Sequence, residues 1–127
     1  MTKNQINAQI GRLGDMLGGH VAGQRGKIEA AIAAVQRDER GVYTLTLNDP
    51  TRFNALGETM LAALQQALDT VAADEHARAV VLAAQGRAFC AGHNLKEMAQ
   101  HPELAYYQQL FTRCSRVMLA IHKLPVP

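Results

Sequence analysis

Six consecutive apolar residues, Ala79-Val80-Val81-Leu82-Ala83-Ala84, constrain this chain more than any other feature. They show no alternation of apolar and polar side chains, which is the pattern of a central parallel strand covered on both faces. A parallel strand needs a partner reached by a crossover, so the preceding stretch has to supply one. Val42-Tyr43-Thr44-Leu45-Thr46-Leu47 is rich in β-branched and aromatic residues, places Tyr43, Leu45 and Leu47 on one face, and reads as a strand. Between the two, Met60, Leu61, Leu64, Leu68 and Val71 recur at i, i+3/i+4 spacing and predict a helix over Glu58–Ala73. Strand, helix and strand together make one βαβ unit with a right-handed crossover. The polar run Arg37-Asp38-Glu39-Arg40-Gly41 is a turn, so residues 32–36 are expected to pair with the first strand as a hairpin. Asn48-Asp49-Pro50 ends that strand with turn residues.

Downstream, Asn94 followed three residues later by Glu97 suits a helix N-cap. The asparagine would accept from a first-turn N–H and the glutamate would reach back. A short helix should start at Leu95 and stop before His101-Pro102, with Pro102 in the first turn of the next. In that next helix Leu104, Tyr107, Phe111, Cys114, Met118 and Ile121 recur every three or four residues, an apolar face that must pack on something. The chain closes on Leu124-Pro125-Val126-Pro127 without a polar tail, so a fragment is expected. Residues 1–34 differ from the rest. Ile6, Ile10, Leu13, Leu17 and Val21 have helical spacing, yet six of the ten glycines fall in the same stretch. At roughly 1 kcal/mol each relative to alanine, these glycines disfavour a free-standing helix, leaving a mobile arm or a partner-docked helix. A mitochondrial transit peptide fits less well, because Asp15 and Glu29 interrupt the basic residues and serine is absent there.

Composition removes several classes of function. At 48% hydrophobic residues and 19% charged, the chain can bury a core, and its length allows one domain. No apolar run is long enough for a membrane span. Net charge +2 with 5% aromatics and no basic stripe gives no sign of nucleic-acid binding. Cys90 and Cys114 make neither a CxxC pair nor a disulfide framework, so a cytoplasmic location is the expectation. The five histidines have no metal-ligand spacing, so no metal is expected. Cys90 is read as structural because no base is placed beside it, and Ser115 lacks a nucleophile elbow.

The stretch Gly86-Arg87-Ala88-Phe89-Cys90-Ala91-Gly92-His93-Asn94 carries what chemistry there is. It follows the carboxyl end of a parallel strand, where open α/β sheets bind ligands. Ala91 and Gly92 allow close approach to the backbone, and the loop runs into a helix N-terminus that favours negative charge. On these grounds alone, a plain strand–helix connector is the simpler reading.

Several motifs in register sharpen it. Leu45-Thr46-Leu47-Asn48-Asp49-Pro50, Asn54-Ala55-Leu56, Val80-Val81-Leu82 and Gly86 through Met98 resemble the crotonase superfamily of enoyl-CoA hydratases and isomerases. The resemblance covers residues 35–127 and corresponds to that family's N-terminal half; residues 1–34 have no counterpart. It implies an α/β fold, a crotonase-like spiral of ββα units with only the N-terminal part present, assembled as a homotrimer or hexamer when complete. It further implies an acyl-CoA substrate, with coenzyme A entering as part of the thioester and no separate cofactor. The backbone N–H of His93 maps to the first oxyanion-hole donor. Ala55, Leu56, Ala91, Asn94 and Leu95 map to segments that contact the coenzyme A, largely through main chain. The second donor and two acid/base glutamates belong to the family's other half, after Pro127.

Three positions depart from the family pattern: His93 for a frequent alanine, Asn94 for aspartate, and Ala83-Ala84 for Thr-Gly. Because the amide and not the ring carries the family role, the His93 ring is expected to face solvent; contact with a CoA phosphate or entry into the pocket are the alternatives. Glu97 and Glu103 read as capping and surface residues, and Asp74 and Glu75 as solvated turn residues. The expected activity is hydration of a 2-enoyl-CoA. The alternatives are isomerisation or another reaction of the family, and an acyl-CoA-binding or subunit-interaction protein without the glutamates.

Overall fold

The computed structural model describes residues 31–127. The glycine-rich helix expected over residues 6–21, and nearly all of the 1–34 extension, lies outside them. β1 (Ile32–Arg37) pairs antiparallel with β2 (Val42–Leu47), in a register that sets Val35 opposite Leu45 and Arg37 opposite Tyr43. β1 starts ahead of the domain boundary expected at residue 35. The connecting turn is held by Asp38, whose Oδ1 accepts from the N–H groups of Arg40 (2.8 Å) and Val42 (3.0 Å). Gly41 closes it at φ +86°, where a Cβ would also stand 2.6 Å from the His76 carbonyl oxygen. Glycine is required there.

From β2 the chain passes through a 3-10 turn (Pro50–Arg52) into α1 (Glu58–Ala73), then returns as β3 (Ala79–Ala84). β3 runs parallel to β2, from Val42 opposite Ala79 to Leu47 opposite Ala84. α2 (Leu95–Gln100) and α3 (Leu104–Lys123) follow. Alternation along β2 sends Tyr43, Leu45 and Leu47 into the core, where α1 meets them with Met60, Leu61, Leu64, Leu68 and Val71. Each such side chain contributes about 1.5–3 kcal/mol of burial.

Four expectations change. Among the described residues β3 is an edge strand and not a central one: the order is β1-β2-β3, and Val81 is 48% exposed. Val80, Leu82 and Ala84 pack on the core, whereas the opposite face of β3 is only partly covered, so the apolar run reflects more burial than the described residues provide. Of the apolar face expected on α3, Cys114 packs against the core, and the fully buried residues lie beside that face. Leu110 and Val117, 2% and 1% exposed, pack into the core with Tyr106, Cys114 and Ala120 half-buried beside them. Phe111 and Met118 stand about a third of a turn away and remain exposed, and Ile121, on the docking stripe but near the end of the helix, is exposed too. Pro102 precedes the helix and its N-cap Glu103 rather than lying in the first turn.

The fourth concerns Asp74, which is not solvated. Its side chain is 5% exposed and accepts from the Tyr43 hydroxyl (2.6 Å), both oxygens bond one Arg37 nitrogen (3.0 and 2.8 Å), and Oδ1 also takes the His76 N–H (2.9 Å). Burial alone would raise its carboxyl, but the Tyr43, His76 and Arg37 donors together hold it below the usual carboxylate range. In return, burial and then the Asp74 bond push the Tyr43 hydroxyl well above an ordinary phenol.

Candidate functional site

Two loops at the carboxyl ends of β2 and β3 are laced together, and the lacing starts at Asn54. Phe53 and Asn54 both take left-handed backbone (φ 53°), which asparagine tolerates better than most residues. The Asn54 side chain is wholly buried. Its Oδ1 accepts from the Asp49 N–H (2.8 Å), and its Nδ2 donates to the carbonyls of Gln85 (2.9 Å) and Ala88 (3.0 Å). One amide therefore sets the loop after β2 against the loop after β3. Gly86 completes the fit at φ +90°, since a Cβ there would stand 2.7 Å from Pro50 Cβ.

Above this knot the backbones bond directly. The Ala91 N–H donates to the Phe53 carbonyl (3.0 Å) and the Leu56 N–H to the Gly92 carbonyl (2.7 Å). Leu56 and His93 form an isolated parallel bridge. Gly92 turns the chain at φ +91°, with open space where a Cβ would be. The turn leaves the next amide outside the lacing: the His93 N–H donates to no acceptor among the described residues. A fixed main-chain donor without an internal partner can meet an oxygen from a ligand.

The His93 ring does not simply face solvent. It packs against Phe111 of α3, with centroids 5.2 Å apart and planes tilted by 60°. Its Nδ1 is buried and has no hydrogen-bond partner. Asn94 caps α2 as expected, its Oδ1 accepting from the Glu97 N–H at 3.0 Å. Glu97 does not reach back to complete that cap. Its Oε1 instead accepts from the Glu58 N–H (2.9 Å), the first amide of α1, and from the Tyr106 hydroxyl (3.1 Å). Burial, then Glu97 and Glu58, push the Tyr106 hydroxyl up to about 12.

A cleft of about 540 Å³ opens beside the laced loops, lined in part by Asp49, Arg52, Ala55, Asn94 and Lys96. Of the residues singled out in the sequence, Ala55 and Asn94 share this cleft. Leu56, Ala91, His93 and Leu95 do not line it; Leu56 and His93 meet through the backbone bridge, and the Leu95 side chain stands exposed. Arg52 pairs with Asp49 (3.5 Å), while Lys96 has no ion-pair partner among the described residues. Cys90 and Cys114 are free thiols, and burial followed by Cys90 raises the Cys114 thiol, which makes it a poor nucleophile. Among the described residues no three acidic, histidine or cysteine side chains gather as a metal site.

Sequence reasoning gave Asn54 no role of its own. The available signal was an asparagine within a turn, but its carbonyl partners lie more than thirty positions away.

Comparison with known proteins matches residues 37–127 to the family model described as Enoyl-CoA hydratase/isomerase. The Enoyl-CoA hydratase domain-containing protein 3, mitochondrial, of Xenopus laevis is 34% identical over 93 residues, covering 73% of this chain and 32% of that protein. The 1,2-epoxyphenylacetyl-CoA isomerase of Escherichia coli K12 is 42% identical over 64 residues, 50% of this chain and 24% of the relative. Among solved structures, an enoyl-CoA hydratase from Mycobacterium smegmatis aligns with TM-score 0.72 and 64% identity, over 73% of this chain and 36% of that one. The chain thus spans about a quarter to a third of the length of these relatives.

Proposed function

Because the chain belongs to the enoyl-CoA hydratase/isomerase family and has the crotonase fold, we propose that the protein carrying it hydrates a 2-enoyl-CoA thioester, with the His93 amide as one oxyanion donor. The observation that supports this most is the unpartnered His93 N–H, presented by a loop that the Ala91 N–H and the Gly92 carbonyl bond to the loop after β2. Addition of water to the β-carbon moves an electron pair onto the thioester oxygen. A donor fixed at that oxygen lowers the barrier by about 2.7–4 kcal/mol, and a backbone N–H does so without reorganising. The main chain of Ala55, Leu56, Ala91, Asn94 and Leu95 would hold the coenzyme A portion, which is part of the substrate and not a separate cofactor. The second donor, the pair of glutamates that handles water, and the trimeric or hexameric assembly belong to this proposal and not to residues 31–127.

The test is turnover of crotonyl-CoA by the protein that carries this chain. Replacing His93 with proline deletes the N–H and is expected to lower kcat by about 10²–10³-fold. His93→Ala keeps the N–H and should stay within about tenfold of the parent. Equal losses in two folded variants would overturn the amide's role. The family's description as hydratase/isomerase supports a second reading, a double-bond shift, which a 3-enoyl-CoA substrate converted without net hydration would reveal.

A further inference from the structure

Helix α2 carries the loop that presents the His93 amide, yet it is six residues long and none of them is fully buried. So short a helix has little cohesion of its own, and its place depends on what ties it down. Met98 packs partly on the core, and the remaining ties are polar. The Tyr107 hydroxyl of α3 donates to the Met98 carbonyl (3.3 Å), and the others converge on Glu97. Its N–H bonds the Asn94 side chain, which fixes the residue immediately after His93. Its carboxylate bonds the first amide of α1 and the hydroxyl of Tyr106 on α3. One side chain therefore joins the loop-bearing helix to both larger helices.

Two further observations point the same way. The N-cap of α1 is Gly57, which offers no side chain, so Glu97 supplies from another element the acceptor that the N-cap lacks. Gly57 has an ordinary negative φ of −94° and needs no glycine for backbone reasons. A Cβ at 57 would instead stand 3.0 and 3.1 Å from the two Glu97 oxygens. The glycine makes room for the carboxylate.

We propose that Glu97 is a positioning residue for the His93 amide: by anchoring α2 to the start of α1 and to Tyr106, it fixes the direction in which that N–H points. Its role as an aid to turnover rests on the hydratase reading above, whereas its effect on the amide does not.

The experiment separates the two. In the full protein, Glu97→Ala removes both carboxylate bonds, while Glu97→Gln keeps an oxygen that can accept from Glu58 N–H and Tyr106 O–H. The backbone nitrogen chemical shift of His93 is followed in each, together with kcat and KM for crotonyl-CoA per folded molecule. The expected result is a displaced His93 nitrogen signal and about a tenfold lower kcat in Glu97→Ala, with KM changed less than about threefold, and near-parental behaviour in Glu97→Gln. An unmoved His93 signal in a folded Glu97→Ala overturns the proposal. So does a displaced signal in Glu97→Ala with kcat unchanged, if the parent is active. A parent inactive on every enoyl-CoA removes the hydratase reading, and the His93 signal then decides the positioning role alone.

Discussion

Asn54 holds three part-buried backbone groups at once: the Asp49 N–H and the carbonyls of Gln85 and Ala88. Truncation to alanine would strand them, and would also put a Cβ residue without asparagine's local hydrogen bonding at φ 53°. Asn54→Ala is therefore expected to cost on the order of 3–4 kcal/mol, read as a shift of the denaturant midpoint at constant slope. Asn54→Asp keeps the acceptor for Asp49 N–H and loses the two donors, so it should also be destabilised, isolating the Gln85 and Ala88 bonds. At this scale, what the sequence reveals depends on range. The Asn94 cap spans three positions and was readable from spacing. Glu97 looked like the other half of the same cap, but its carboxylate finds the Glu58 amide 39 positions earlier, and no local pattern encodes that choice. The setting of the His93 ring is likewise hidden from local pattern, because its neighbour Phe111 comes from α3.

Between elements, Asp74 is the main polar joint, tying the turn after α1 to Arg37 on β1 and Tyr43 on β2. Its folded-state carboxyl lies below the usual value, so the stabilisation is present above the unfolded value near 4 and is lost as pH falls through the lower folded one. Stability should therefore decline on acidification below about pH 4. Asp74→Asn should flatten that acid limb and cost about 3 kcal/mol near neutrality, because Arg37 is left nearly buried and unpaired. Urea melts of both proteins across the acid range measure each effect. The strands and α1 were legible from periodicity, since a repeat of two or 3.6 is a local property. Which stripe of α3 docks was not. Periodicity marks a broad apolar arc, and only the position of α1 selects Leu110 and Val117 from it rather than Phe111 and Met118. The edge position of β3 among the described residues is hidden for the same reason: a run of apolar residues reports burial but not what provides it.

The described residues hold one ββα unit, β1, β2 and α1, followed by the strand and two helices that continue it. Along α3, Leu104, Phe111, Met118, Leu119 and Ile121 remain exposed, and Val81 and Phe89 add to the uncovered apolar surface. Surfaces of this kind associate when nothing covers them. The 127-residue chain alone is expected to self-associate with rising concentration, seen by light scattering, and Phe111→Lys with Met118→Lys should shift it toward monomer. No helix among the described residues is long and apolar enough to cross a membrane, so the apolar stripe is not a span. The crowding at Gly57 has an inheritance of its own. A methyl there would stand 3.0–3.1 Å from the Glu97 oxygens, so alanine at 57 obliges that carboxylate to give by a few tenths of an ångström, and substitutions at the two positions are expected to couple.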